Sequence, residues 1–128
     1  MDIESLFMQI TDGDLEGVRT QLDATTFLVH VRNPDTEAWD QSTPLHTAAK
    51  QGHLEMSRFL VERGAEVYSN PMSTYPPVVI AAWNKKQEVV DYFLKDIPDK
   101  ASGTNGLGVT INLAARQGWT DIVRQHID

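Results

Sequence analysis

Three alanine pairs, Ala48-Ala49, Ala81-Ala82 and Ala114-Ala115, stand 33 residues apart each time, and the wording around them repeats too. The chain reads L-H-T-A-A from Leu45, V-V-I-A-A from Val78 and I-N-L-A-A from Ile111. A second apolar cluster follows each first apolar position by about thirteen residues: Phe59-Leu60, Tyr92-Phe93-Leu94, and Ile122-Val123 with Ile127. Apolar residues at i, i+3 and i+4 within each segment predict two short helices joined by a tight turn. A unit this small cannot bury its apolar face alone, so at least three must stack side by side. Small alanines at the contact let neighbouring helices approach closely. The period therefore constrains the chain to an all-α solenoid.

Local signals place the helix ends. In "STP" before Leu45 a hydroxyl residue stands at the helix N-cap and proline at the first helical position, where its missing N–H costs nothing. Gly52 and Gly118 fall where a helix needs a left-handed exit, and a second helix is expected from about Leu54 to Glu62, closing at Gly64. The middle copy departs from this pattern. Lys85-Lys86 replaces the Gly-His and Gly-Trp of its neighbours, and a lysine in the left-handed region is strained by roughly 1 kcal/mol unless Asn84 adopts that conformation instead. The third repeat is expected to be the irregular one.

The stretch "STPLHTAAKQGHLEMSRFLVERGAEV", residues 42–67, resembles a nearly complete ankyrin repeat, carrying T-P-L-H-x-A-A, G-H-L-E and G-A-x-V elements. The 33-residue spacing matches the period of that family. A further copy is traceable in "SLFMQITDGDLEGVRTQL", where Gly13, Leu15 and Glu16 match Gly52, Leu54 and Glu55 at an offset of 39, so the first connection is longer than the others. The resemblance implies one ankyrin-repeat solenoid over residues 1–128, with repeats near 1–33, 34–70, 71–103 and 104–128 and connections near 24–41, 65–75 and 97–108. It also implies that His46 bonds locally to steady its turn, a role that Val79 and Asn112 cannot repeat. The fourth repeat stops at Asp128 after about two turns of its second helix, which reads as a cut from a longer chain. Its uncapped end around Ile122, Val123 and Ile127 offers a route to self-association.

Composition narrows the function. A net charge of −7 disfavours nucleic acid and anionic membrane surfaces as partners. No apolar run approaches the roughly 20 residues of a membrane span, and the acidic residues ahead of the first apolar stretch do not suit a signal peptide. The absence of cysteine excludes disulfides and thiolate metal sites and fits an intracellular, cytoplasmic protein.

No catalytic constellation emerges. His30, His46, His53 and His126 have no metal-binding spacing, so no metal or other cofactor is expected. Asp40, Ser42 and Thr43 near His46 read as capping and turn residues, since no glycine-rich elbow accompanies them. "SGTNGLG" at 102–108 lacks the lysine of a phosphate-binding loop, and Asp12, Asp14 and Glu16 lack the glycine and distal glutamate of a calcium loop. The chain reads as a non-enzyme.

What the resemblance does imply is a concave, protein-binding face. It is formed by the residues after each alanine pair and by the hairpin residues ahead of each first helix. Carried onto this sequence, the first set is Lys50, Gln51, Trp83, Asn84, Arg116 and Gln117, with Thr11-Asp12 as the opening rung. The hairpin set is Trp39, Asp40 and Ser42, then Met72, Ser73 and Tyr75, then Asn105 with Leu107. Trp39, Tyr75 and Trp83 flanked by Lys50 and Arg116 have the composition of a binding hot spot. Trp119 is expected to pack on the opposite side, and Lys85-Lys86 to form a solvated patch. The expected function is a scaffold for a protein or peptide partner. The alternative is the targeting or regulatory part of a larger enzyme whose catalytic region lies beyond Asp128.

Overall fold

The computed structural model describes residues 3–31, 33, 43–65, 67, 76–96 and 113–120. Three helix pairs form in order: α1 (Ile3–Asp12) with α2 (Leu15–Ala24), α3 (Pro44–Gln51) with α4 (Leu54–Glu62), and α5 (Pro77–Trp83) with α6 (Gln87–Asp96). A 3₁₀ turn (Thr26–His30) follows α2, and residues 113–116 are helical. No strand occurs among the described residues. The first helices pack in sequence, α1 on α3 and α3 on α5, while each second helix packs on its own partner and α4 touches α6. The result is two layers of helices sharing one core.

The core follows from the sequence pattern. Leu45, Ala48 and Ala49 of α3 and Val78, Ala81 and Ala82 of α5 are fully buried, and Met56, Phe59, Leu60, Val89, Val90 and Phe93 close the layer behind them. At α3 the start signal works as the sequence predicts. Thr43 is the N-cap, and its Oγ1 accepts the His46 N–H at 3.3 Å and lies 2.6 Å from His46 Nδ1, so the buried imidazole is held by the cap of its own helix. The stop works too: Gly52 sits at the C-cap with φ of 76° and donates its N–H to the last turn.

The third pair is irregular, as expected. The α5 N-cap is Pro76, which makes no side-chain capping bond, and a backbone bond from Val78 N–H to Val67 C=O at 3.3 Å ties its start instead. At the turn into α6 it is Lys85 that takes the left-handed conformation, with φ of 60°, while Asn84 stays at −92° and donates its side-chain amide to Ile80 C=O at 2.8 Å. Glycine is easier than lysine there by about 1–2 kcal/mol, but it gives the unfolded chain more freedom, worth about 0.4–1 kcal/mol. Lys85→Gly is therefore expected to stabilise the fold by roughly 0.5–1 kcal/mol, read as a raised urea midpoint. A lowered midpoint would mean that the lysine side chain contributes packing that outweighs its backbone strain.

Successive turns interlock. The His53 ring lies against Gly13, where an added Cβ would meet Cε1 at 3.3 Å, and His53 Nε2 lies 2.8 Å from Thr11 C=O, which assigns the ring proton to Nε2. The Lys86 stem lies over Gly52 in the same way, with Cδ at 2.8 Å from such a Cβ. On the back of the stack arginines lie over the aromatic rings of the next pair. The Arg19 guanidinium carbon is 4.8 Å from the Phe59 ring centroid, and that of Arg58 is 5.0 Å from the Tyr92 centroid. Arg63 covers Phe59 at 4.8 Å as well and pairs with Asp23 of α2. Each such contact adds of the order of 0.5–1 kcal/mol at a partly exposed site.

Candidate partner-binding face

Burial along α3 and α5 leaves very few positions open. In α3 every residue from Pro44 to Ala49 is buried, and only Lys50 and Gln51 are half-exposed. In α5 every residue from Pro77 to Ala82 is buried, and Trp83 then stands 43% exposed. Ala114 is buried, while Arg116 is exposed and Gln117 half-buried; on α1, Thr11 and Asp12 are exposed. Since the open residues of α3, α5 and the last described helix fall at the helix end, they recur at the spacing of packed helices, about 8–10 Å.

The rungs are held in register by bonds between them. Gln117 Nε2 donates to Ala82 C=O at 2.7 Å, immediately before Trp83, and thereby couples the fourth rung to the third. The Asn84 amide is committed to the end of its own helix, at Ile80 C=O. So two of the amides assigned from sequence to partner contact work inside the stack, while Lys50 and Gln51 are half-exposed and Trp83 and Arg116 exposed. The hairpin residues Trp39, Asp40, Ser42, Met72, Ser73, Tyr75 and Asn105, and the C-terminal Ile122, Val123 and Ile127, lie outside the described residues.

Large exposed apolar side chains among the described residues are Met8, Phe27 and Trp83. Such residues scattered singly are ordinary, and Met8 and Phe27 occupy no rung. Trp83 does. Trp119 is half-buried against the core, as its packing role requires. Asp14, considered above as a calcium ligand, is the N-cap of α2, its Oδ1 accepting Gly17 N–H at 3.0 Å. No group of three His, Asp or Glu residues able to hold a metal occurs among the described residues. An open hollow of ≈ 410 Å³ near Gly13, His53, Glu55 and Glu88 and one of ≈ 210 Å³ near Arg58, Asp91 and Tyr92 lie behind the turns. Within them Glu55 pairs with Arg58 at 3.9 Å and Asp91 with Lys95 at 3.3 Å. No described helix is long and apolar enough to cross a membrane.

A family profile describing ankyrin repeats matches residues 10–104 as three copies. The chain belongs to the ankyrin repeat family. That family's unit is a non-catalytic, protein-binding repeat, so the two layers of helices described above are an ankyrin stack. Relatives differ widely in what they are attached to. The chain is 31% identical over 93 residues to the serine/threonine-protein kinase VIK of Arabidopsis thaliana, which covers 73% of this chain and 20% of the kinase. It is 35% identical over 89 residues to the ankyrin repeat and KH domain-containing protein mask-1 of Caenorhabditis elegans, covering 67% of this chain and 3% of that protein. A shorter match, 51% identical over 37 residues, joins it to the potassium channel GORK of Arabidopsis thaliana, covering 29% of this chain and 4% of the channel. The ankyrin chain thus spans a fifth or less of the length of each of these relatives.

Proposed function

We propose that this ankyrin stack is a non-catalytic scaffold that holds a partner protein or peptide on its concave face, with Trp83 as the anchor and Lys50, Gln51 and Arg116 beside it. The observation that carries the reading is Trp83 itself. A tryptophan that is 43% exposed follows six buried residues on α5, at the one helix position the stack leaves open. The hairpin residues Trp39, Asp40, Ser42, Met72, Ser73, Tyr75 and Asn105 belong to the same proposed face, where Asn84 and Gln117 act by holding the rungs. A stack already packed has lost its conformational freedom before the partner arrives, so binding requires little further ordering. An intracellular, cytoplasmic setting suits the cysteine-free chain.

The test is the affinity of a captured partner for the parent and for Trp83→Ala, with Arg58→Ala on the back of the stack as the control. Truncating the anchor is expected to cost about 2 kcal/mol, or roughly thirtyfold in Kd, while the control is unchanged. Equal affinities for all three proteins would remove the partner from this face.

The second reading, a targeting or regulatory region of a larger enzyme, is favoured by the similarity to a kinase in which the matched region is 20% of the length. Sequencing the transcript past the Asp128 codon separates the two readings: a catalytic region in frame supports the second, further repeats followed by a stop the first.

A further inference from the structure

We infer that the face is matched to an extended, polyproline-II-like segment bearing a carboxylate, an apolar side chain and a second carboxylate at intervals of three residues. This rests on the concave-face reading above and gives it a ligand chemistry. The charge pattern comes first. Lys50, Trp83 and Arg116 occupy the same position in successive repeats, so a cation, an aromatic ring and a cation stand in line on a chain whose net charge is −7. That line is complementary to acid, apolar group, acid. In the first repeat Thr11 stands at the Lys50 position, with the exposed Asp12 beside it at the Gln51 position, so a ligand shifted by one rung would exchange a cation for a neutral residue and bring its carboxylate near another.

The spacing selects the conformation. Rungs recur at the distance between packed helices, about 8–10 Å, and Gln117 fixes that step between Trp83 and Arg116 through the Ala82 carbonyl. A polyproline-II segment turns once in three residues with a rise of about 3.1 Å each, which returns a side chain to the same side every 9 Å or so. A β-strand brings residues to one face at about 6.6 Å or 13 Å, missing each rung. An α-helix matches only at every second turn, near 10.5 Å, and leaves the intervening turn without a rung.

The probe is a capped, fluorescein-labelled peptide, Glu-Pro-Pro-Leu-Pro-Pro-Glu, titrated by anisotropy with the full chain. It is compared with the lysine counterpart, Lys-Pro-Pro-Leu-Pro-Pro-Lys, and with a strand-spaced peptide, Glu-Thr-Leu-Thr-Glu. The acidic polyproline peptide is expected to bind at least tenfold more tightly than either and to weaken as salt is raised. Arg116→Glu, at an exposed position, is expected to lose at least tenfold for the acidic peptide and to gain for the lysine one; Arg116→Gln replaces it if circular dichroism shows a folding defect. If the lysine or the strand-spaced peptide binds as well, and binding still falls with Trp83→Ala, the ligand chemistry is overturned and the face retained. Peptide binding that survives Trp83→Ala overturns the face as well. No binding by any of the peptides overturns the ligand chemistry, and the partner affinities of the preceding test then decide the face alone.

Discussion

Phe93→Ala is expected to lower the unfolding free energy by about 3–5 kcal/mol. Phe93 is the largest side chain that is wholly buried among the described residues, on the face of α6 that also buries Val89, Val90 and Leu94. Removing the ring takes away its transfer free energy and leaves a cavity that helices pinned on both sides cannot collapse to fill. A domain of this size is stable by roughly 5–15 kcal/mol, so the change consumes a large fraction of the total. The loss has a particular character in a stack, because each pair buries its face against its neighbours. Urea unfolding followed by tryptophan fluorescence and by circular dichroism measures both effects: a fall in midpoint, and separation of the two curves if the third pair melts first. A loss below about 1 kcal/mol would show that the layer behind α5 relaxes far more easily than close packing permits.

The second large effect comes from adding atoms. Ala82→Leu is expected to destabilise by about 2–4 kcal/mol, combining overpacking of roughly 1–3 kcal/mol with the disturbed bond from Gln117, worth about 1 kcal/mol. Ala82 is fully buried on α5, and its carbonyl accepts that bond. Ala115 occupies the same place in the repeat but is exposed. Ala115→Leu is accordingly expected to stay within about 0.5 kcal/mol of the parent. Thermal or urea unfolding of the two variants side by side checks the pair, and equal losses would mean that the buried contact is not what alanine serves at this position.

The fold was legible because its signals are local and repeated. Threonine before proline, glycine after the alanine pairs and apolar residues at helical spacing each specify one piece of backbone, and the 33-residue period aligns the pieces. Even the strain at Lys85 could be read from a lysine standing where the other copies have glycine. The 3₁₀ turn at Thr26–His30 was not legible, since its apolar residues form too short a run for periodicity to assign. Of the proposed binding face, the exposure of residues at the ends of the first helices could be read from the repeat, because burial follows helix register. The roles of Asn84 and Gln117 could not. An amide at a helix end serves equally as a cap, a bridge or a ligand contact until its neighbours are placed, and here Ile80 and Ala82 take both. The arginine–aromatic contacts left a trace that spacing alone would have found: Arg19 and Arg58 match in the repeat, as do Phe59 and Tyr92, each ring one position further on.

That last pattern gives the chain a syntax. A guanidinium on one pair needs a ring on the next, and the sequence satisfies this twice, from Arg19 to Phe59 and from Arg58 to Tyr92. At the third occurrence the position holds Asp91, whose carboxylate turns to Lys95 on its own helix instead of reaching forward. A carboxylate placed over the negative face of a ring would be repelled where the guanidinium is attracted. The repeats are therefore not interchangeable words. Exchanging the second and third would put an acid over an aromatic ring and leave an arginine with none, so the order in which they are written is enforced on the side of the stack opposite the proposed binding face.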